Sequence, residues 1–288
     1  VSDLVIYLSV QHLSHLMANM SSNMGVSKER IFLYAMKNEF KFGSFMLTTK
    51  AKHYLALITS QEGNLKSDPE LEVKGVSLRT SNIPAAVMKK FKRRVKKMCK
   101  QVAAGQEIDI HEILDEVAFL ENQVAESIIQ GKPDYLKSTN IKERSAYDEN
   151  RESNYHYHRL YNSTMSGRYG WLEEPPYEAY KLPVRLRNKT LINEWIETIE
   201  DEIIKNGFKE WFKENKRDYK QFILPDYLVS NYGIPKDLVK AADIRKACFA
   251  TVEPYYHVLE CLGIYMIDEN RTLLVSDYYG DKTVSEVA

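Results

Sequence analysis

The segment Thr48–Pro84 reads TTKAKHYLALITSQEGNLKSDPELEVKGVSLRTSNIP and carries the clearest structural signals of the N-terminal part. Within it, Tyr54–Ile58 is apolar throughout, which is typical of a strand buried on both faces. The turn sequence Gln61–Asn64 follows, with a glycine that can take positive φ. Asp68-Pro69 then opens a second strand at Leu71–Val73. These signals predict two neighbouring strands, the first running from Tyr54 to Thr59.

The segments before this stretch complete a small unit that combines helix and sheet. Apolar residues recur at helical spacing from Ser2 to Asn23, and Gly25 ends the run. Ile31–Met36 and Phe40–Leu47 are better explained as strands. We therefore predict an α/β unit that extends to about Asn82.

Helices dominate the prediction after this unit. Pro84 suits the first turn of a helix that runs to about Ala104, and Gly105 ends it. Apolar residues at spacings of three and four predict a second helix at Asp109–Gln130. Residues 132–190, rich in Tyr, Pro, Asn and Arg, are predicted to be irregular. The later predicted elements are helices at Leu191–Asn206 and Gly207–Asn215, a helix start at Ile234-Pro235 and a strand at Arg271–Val275.

Size and composition exclude several classes of protein. The 288 residues suffice for one large domain or two smaller ones, and 44% apolar residues indicate a globular chain. Cys99, Cys248 and Cys261 form no CxxC pair, which suits a reducing compartment. No apolar run approaches the roughly 20 residues that a bilayer span needs, and no signal peptide is evident. We therefore expect a cytoplasmic protein without a membrane partner.

The segment Lys89–Lys100, KKFKRRVKKMCK, carries eight cations in twelve residues and no anion, although the whole chain has a net charge of zero. Like charges four residues apart destabilise a helix, and a bound polyanion relieves this repulsion. A solvated helix face is the alternative reading. The segment predicts DNA contacts by Lys89, Lys90, Lys92, Arg93, Arg94, Lys96 and Lys97.

The order of motifs around this segment resembles that of a known enzyme family. Lys52-His53-Tyr54, then Glu72-Val-Lys-Gly75, Arg79 and a basic helix resemble the end of the palm and the start of the thumb in family B DNA polymerases, the phage type above all. A K-K-R-Y-like motif in that family grips the primer–template just behind the active site. Ala51 stands at the family's first Lys position, and His53 at its Arg position.

The resemblance implies specific roles for these residues. Lys52 is expected to reach the minor groove near the primer terminus, where base acceptors occur in every correct pair. Tyr54 is expected to pack against the template strand, on the same strand face as Lys52. The implied DNA-binding residues are Lys50, Lys52, Tyr54, Lys74, Gly75 and Arg79.

Later segments also resemble phage family B thumbs. They are Tyr147–His158, Arg168–Tyr177 and Asp226–Gly263. We therefore expect an α+β chain in which residues 1–84 form the C-terminal part of a palm, a small sheet plus helices, and residues 85–288 form a mostly helical thumb. His156, His158 and Glu152 are better explained as hydrogen-bonded polar residues than as metal ligands.

The catalytic carboxylates of the resembled family have no counterpart in this sequence. Tyr278-Tyr-Gly-Asp281 looks like the family's Y-G-D-T-D-S turn, but Thr283 stands where the second Asp belongs, and the motif lies after Tyr54 rather than before it. No catalytic residue and no metal site is therefore predicted in this chain. The resemblance implies that Mg²⁺ is bound by a complementary fragment.

The predicted function is that of the duplex-gripping portion of a DNA-directed DNA polymerase during replication, inactive alone. Its expected partners are primer–template DNA and a complementary fragment with exonuclease, fingers and catalytic palm, on another chain or upstream. If the gene belongs to a phage, the expected location is the cytoplasm of an infected bacterium. The alternative is a free-standing nucleic-acid-binding accessory protein of replication, which should be a closed, soluble domain.

Overall fold

The computed structural model describes residues 2–30, 39–48, 52–75, 82–147, 159–161, 164–165, 168, 174–186, 188–214, 220–266, 273–279 and 284. Its described residues form α-helices and two three-stranded antiparallel sheets, which confirms the α+β prediction. Contacts divide the chain into two compact units. The first unit comprises Val1–Lys74 and Val95–Ile108, and the second comprises Gly75–Arg94 and Asp109–Ala288.

The first unit contains a long helix and the first sheet. Helix α1 spans Ser2–Asn23, as predicted, and Gly25 follows with φ 79°. The sheet has the order β1-β2-β3, with β1 at Phe40–Leu47, β2 at Tyr54–Gln61 and β3 at Asn64–Lys74. The predicted strand at Ile31–Met36 lies outside the described residues.

Strand β2 is the centre of this sheet because its side chains are covered on both faces. Leu55, Ala56, Leu57 and Ile58 are all buried, as the apolar run predicted. Glu62 and Gly63 have φ values of 50° and 85°, so a two-residue turn with two left-handed positions joins β2 to β3. Strand β3 is much longer than predicted.

Pro69 lies within β3 rather than before it. The β2–β3 register shifts between Ile58 and Ser60, which marks an irregularity opposite this part of β3. Among the described strands, β3 is an edge strand, where proline is tolerated because its missing N–H breaks no ladder hydrogen bond.

Helices α2 and α3 match the sequence prediction closely. Helix α2 spans Ala85–Ala103, begins in the second unit and ends in the first. Helix α3 spans Ile110–Ile129, and the Asp109 side chain accepts a hydrogen bond from the His111 N–H at its N-terminus. Within the described part of the chain, no helix combines the length and apolar character that a membrane span requires.

The second sheet contradicts the prediction of irregular structure at residues 132–190. Its order is β4-β5-β6, with β4 at Ser138–Ile141, β5 at Tyr177–Pro183 and β6 at Gln221–Pro225. Ala179 on β5 pairs with Thr139 on one side and with Pro225 on the other. The strands are short and far apart in sequence, so only long-range pairing defines them.

The remaining helices belong to the second unit. Helix α4 spans Lys189–Thr198 and α5 spans Glu202–Glu214, so the break lies at Ile199–Asp201 and not near Asn206 as predicted. Helix α6 spans Asp226–Tyr232, α7 spans Lys236–Ala241 and α8 spans Ile244–Cys261. The start of α7 directly after Pro235 confirms the predicted helix start.

A buried carboxylate fixes the C-terminal segment to α3. Glu121 is completely buried and accepts backbone hydrogen bonds from Val275 at 3.1 Å and Ser276 at 2.7 Å, besides one from the Tyr256 hydroxyl. Val275–Asp277 forms a 3-10 turn, so the predicted strand at Arg271–Val275 is wrong at its described end. Burial raises the pKa of Glu121.

Candidate nucleic-acid interface

Lys52 occupies the turn before β2, in a conformation that lysine rarely adopts. Its φ is 64°, and β2 begins only at Tyr54. The expectation that Lys52 and Tyr54 share a strand face by alternation is therefore wrong, because Lys52 lies outside the strand. A non-glycine residue in this left-handed region costs about 1–2 kcal/mol, and such strain clusters at functional sites.

Tyr54 and Lys74 are brought together by the register of the sheet. The antiparallel β2–β3 ladder places them opposite each other, so both side chains point to the same face. The Lys74 Nζ lies 3.1 Å from a carboxylate oxygen of Glu72, and Tyr54 is hydrogen-bonded to the same carboxylate. Partial burial, together with the charge and hydrogen bond of Glu72, raises the pKa of Tyr54. Glu72 therefore joins the two predicted DNA-binding residues.

Aromatic rings support Tyr54 from the neighbouring strand. Its ring centroid lies 4.9 Å from that of Phe45 and 6.3 Å from that of Phe42. Phe45 is 45% exposed, so this face of the sheet offers accessible aromatic surface beside Lys74. Rings held in this way can pack against sugar and base groups without first being ordered.

Helix α2 presents a cationic face without a carboxylate of its own. Its buried side consists of apolar residues, namely Val87, Phe91, Val95, Met98 and Cys99. Lys89, Lys92, Arg93, Lys96, Lys97 and Lys100 follow at spacings of three and four residues, which places them on the opposite side. The sequence of α2, AAVMKKFKRRVKKMCKQVA, contains no Asp or Glu.

Some of these cations are already engaged within the protein. Arg94 donates to Glu112 at 2.5 Å and to Glu116 at 2.6 Å, and its side chain is only 17% exposed. Lys96 donates to Asp68 at 2.8 Å. The Lys90 Nζ lies 4.6 Å from the centroid of the Phe119 ring. We therefore leave Arg94 out of the proposed DNA-binding face.

Three exposed cations of α2 form no ion pair with any residue that the structure describes. They are Lys89, Lys92 and Arg93. Because no described carboxylate neutralises them, their positive charge is available to an anionic ligand. These three residues are the centre of the candidate interface on α2.

Of the remaining residues predicted to bind DNA, the structure describes some and leaves others out. Gly75 directly follows β3 with φ 70°, a conformation that favours glycine. Lys97 is exposed on α2. Lys50 and Arg79 lie outside the described residues.

The sequence interpretation missed the carboxylates that position these cations. Glu72 lies two residues before Lys74, and period-two alternation could have placed both on one face. Glu112 and Glu116 lie four residues apart on α3, which is a recognisable pattern for one helix face. Asp68 reaches Lys96 only through the fold, so no local signal identified it.

No metal centre is found in the described part of the chain, where no three potential ligands among His, Cys, Asp and Glu come together. Glu152, His156, His158 and Asp281 lie outside that part. Taken unit by unit, the described candidate residues are cations, aromatic rings and the carboxylates that orient them. Cations and aromatic rings are groups that can contact phosphates, sugars and bases.

Comparison with known proteins gives one family. Among curated proteins, none matches the chain. The family described as "Divergent Family B DNA polymerase" matches residues 1–279, which is nearly the whole sequence. The chain therefore belongs to the divergent family B DNA polymerases.

Proposed function

We propose that this chain is the duplex-holding portion of a family B DNA polymerase and comprises the end of the palm and the thumb. In this role it grips primer–template DNA during replication, while carboxylates on another chain or on an upstream segment would hold the Mg²⁺ ions for nucleotidyl transfer. The observation that carries the proposal is the cationic face of α2. Family membership supplies the polymerase context.

The electrostatics of α2 favour a phosphate backbone as the ligand. Lys89, Lys92 and Arg93 are exposed, lie within one turn of each other and have no described carboxylate partner. A DNA duplex relieves the repulsion among these charges and releases condensed counterions. Lysine and arginine contacts to phosphate carry no sequence information, which suits an enzyme that copies any template.

The Tyr54–Glu72–Lys74 group supports the same role. Glu72 orients the Lys74 ammonium and the Tyr54 hydroxyl on one sheet face, and Phe45 holds the Tyr54 ring. An oriented cation beside a fixed aromatic ring can sense the shape of a duplex without reading its bases. We propose that Lys52 approaches the primer–template from the preceding turn.

Helix α1 supports the proposal that a further polymerase segment packs against this chain. It carries one carboxylate, Asp3, and no Lys or Arg. Large apolar residues are exposed along its length, including Leu4, Tyr7, Leu8, Leu13, Leu16 and Met20. Exposed apolar surface of this extent marks a protein interface. We propose that the catalytic part of the polymerase covers α1.

Primer extension with the purified chain tests the division of labour. We expect it to bind a primer–template duplex and to incorporate no nucleotide at any Mg²⁺ concentration. Template-dependent extension by the purified chain alone would contradict the proposal. Failure to bind the duplex would contradict it as well.

Hydrogen exchange tests the proposed interface of α1. We expect amides of α1 and β1 to gain protection when the chain is mixed with a fragment that carries the catalytic palm. The expected buried area exceeds roughly 2,000 Å², as in obligate assemblies. Equal protection of residues 1–60 with and without that fragment would favour a free-standing nucleic-acid-binding accessory protein instead.

A further inference from the structure

A cleft in the second unit lies between α4 and α5, away from the residues used above. Its volume is about 440 Å³, which lies in the range of roughly 300–1,000 Å³ typical of small-ligand sites. Its lining consists of Lys189, Asn193, Ile196, Glu197, Lys209, Phe212 and Lys213. Three ammonium groups and one carboxylate give this lining a positive balance.

The charges of the cleft are not all equivalent. Glu197 forms ion pairs with Lys209 at 2.7 Å and with Lys205 at 3.5 Å. The hydrogen bond from Lys209, followed by the charges of both lysines, lowers the pKa of Glu197, so this carboxylate stays ionised and holds Lys209 in place. Lys189 and Lys213 form no ion pair with a described residue. They are the two cations that the cleft offers to an anion.

The floor of the cleft is apolar and aromatic. Ile196 is buried, and the Phe212 ring stacks on Phe208 with a centroid distance of 6.1 Å and an interplanar angle of 21°. The Phe208 ring in turn packs against the Trp195 ring, with their centroids 4.8 Å apart. This series of rings anchors Phe212 from inside the protein. Its ring is therefore ordered before any ligand arrives, which lowers the entropic cost of binding.

We propose that this cleft binds single-stranded DNA, with Lys189 and Lys213 on phosphates and the Phe212 ring against a base. Cations beside an aromatic floor are the combination that single-stranded nucleic acids recognise. Bases inside a duplex stack on each other, so their faces become accessible to a ring only in a single strand. The Asn193 amide can exchange hydrogen bonds with any base edge, so little sequence preference is expected. This inference rests on the proposed polymerase function and adds a single-strand contact to the duplex contacts proposed above.

Fluorescence anisotropy with labelled oligo(dT) of twelve nucleotides tests the proposal on the full chain. The variant K189Q/K213Q should weaken oligo(dT) binding at least about fivefold and reduce the log–log salt slope by about 1.4, since each single-strand phosphate contributes about 0.7. The charge-matched control K132Q/K236Q alters two exposed lysines elsewhere in the second unit. This control should bind oligo(dT) like the wild type.

Substitutions of Phe212 distinguish the contribution of base stacking to binding from that of the lysine charges. Phe212→Leu should weaken oligo(dT) binding by about fivefold or more, because losing the stacking contact with one base lowers affinity by at least this factor. Phe212→Tyr should restore it, and an abasic oligonucleotide should not distinguish the three proteins. If Phe212→Leu impairs folding in a thermal melt, the lysine variant on the exposed rim carries the test alone.

A blunt DNA duplex measured in parallel distinguishes this inference from the proposed function. Cleft variants should leave duplex affinity within about twofold of the wild type, whereas K89Q/K92Q/R93Q should weaken it. Unchanged oligo(dT) binding by both cleft variants, or no binding by the wild type, would overturn the cleft proposal alone. Equal losses on duplex and oligo(dT) would overturn the single-strand assignment. Failure of the wild type to bind the duplex would overturn the proposed function, whatever the cleft does.

Discussion

Tyr54 and Lys74 lie opposite each other on β2 and β3, and the Glu72 carboxylate contacts both side chains. This arrangement fixes the lysine by an ion pair and the tyrosine by a hydrogen bond on a sheet face with exposed aromatic surface. Phe45 on β1 holds the Tyr54 ring from the other side, with ring centroids 4.9 Å apart. The sheet therefore presents an ordered cation and an ordered ring on one face.

We expect Lys74→Gln to weaken duplex binding and to reduce its log–log salt slope by about 0.9, the value of one phosphate contact. Lys66 offers a matched control, since it lies on the same strand and pairs with Glu70. Lys66→Gln should leave the slope unchanged. Salt titrations of duplex affinity compare the two variants, and equal slopes for both would remove Lys74 from the interface.

Two substitutions of Lys52 distinguish the cost of its left-handed backbone conformation from its proposed contact with DNA. Both Lys52→Gly and Lys52→Ala remove the ammonium group, so they should weaken duplex binding equally. Glycine adopts φ 64° without strain, so Lys52→Gly should be more stable than Lys52→Ala by about 1 kcal/mol. Urea unfolding measures the stabilities, and anisotropy measures binding. Wild-type duplex affinity in both variants would exclude Lys52 from the grip.

Arg93 and Arg94 are neighbours on α2 with different predicted roles. Arg94→Gln breaks the pairs with Glu112 and Glu116, and we expect it to lower the free energy of unfolding by about 1–3 kcal/mol. It should leave the salt slope of duplex binding unchanged. Arg93→Gln should reduce the salt slope of duplex binding and leave the free energy of unfolding within about 0.5 kcal/mol of the wild-type value. A reduced slope for Arg94→Gln would return Arg94 to the DNA-binding face.

Tyr180 is predicted to make the stability of the second unit fall at high pH. Burial, followed by the hydrogen bond to Asp226 at 3.0 Å, raises the pKa of Tyr180 to about 12. Because the folded state holds this proton more tightly, the contribution of Tyr180 to stability is complete below pH 10 and is lost as the pH rises toward 12.

The stability difference between wild type and Tyr180→Phe should therefore shrink between pH 10 and pH 12. Urea unfolding at a series of pH values measures this difference. Tyr232→Phe is the control, because this tyrosine is exposed at the end of α6. A constant difference for Tyr180→Phe over this range would contradict the assignment.

The sequence predicted the elements that local patterns define. Helix α3 follows from apolar residues at helical spacing, and the turn before β3 follows from Glu62-Gly63. Strands β4 and β5 could not be predicted in this way. They are short, and their partners lie far away in sequence. The hydrogen bonds that define them therefore exist only in the folded chain.

The candidate site was predictable by residue type but not by geometry. A run of eight cations indicates an anionic ligand, yet it does not show which cation faces α3. Arg94 is engaged because Glu112 and Glu116 are placed opposite it by tertiary packing. The left-handed Lys52 likewise has no local signal, since lysine carries no preference for that conformation.

The salt dependence of duplex binding shows whether the cationic face of α2 holds primer–template DNA. The variant K89Q/K92Q/R93Q is compared with K132Q/K236Q/K246Q, which removes three exposed lysines elsewhere. We predict that the first variant weakens binding and reduces the log–log slope by about 2–3, whereas the second leaves the slope unchanged. Equal slopes for both variants and the wild type would show that α2 is an ordinary solvated helix face and would contradict the account.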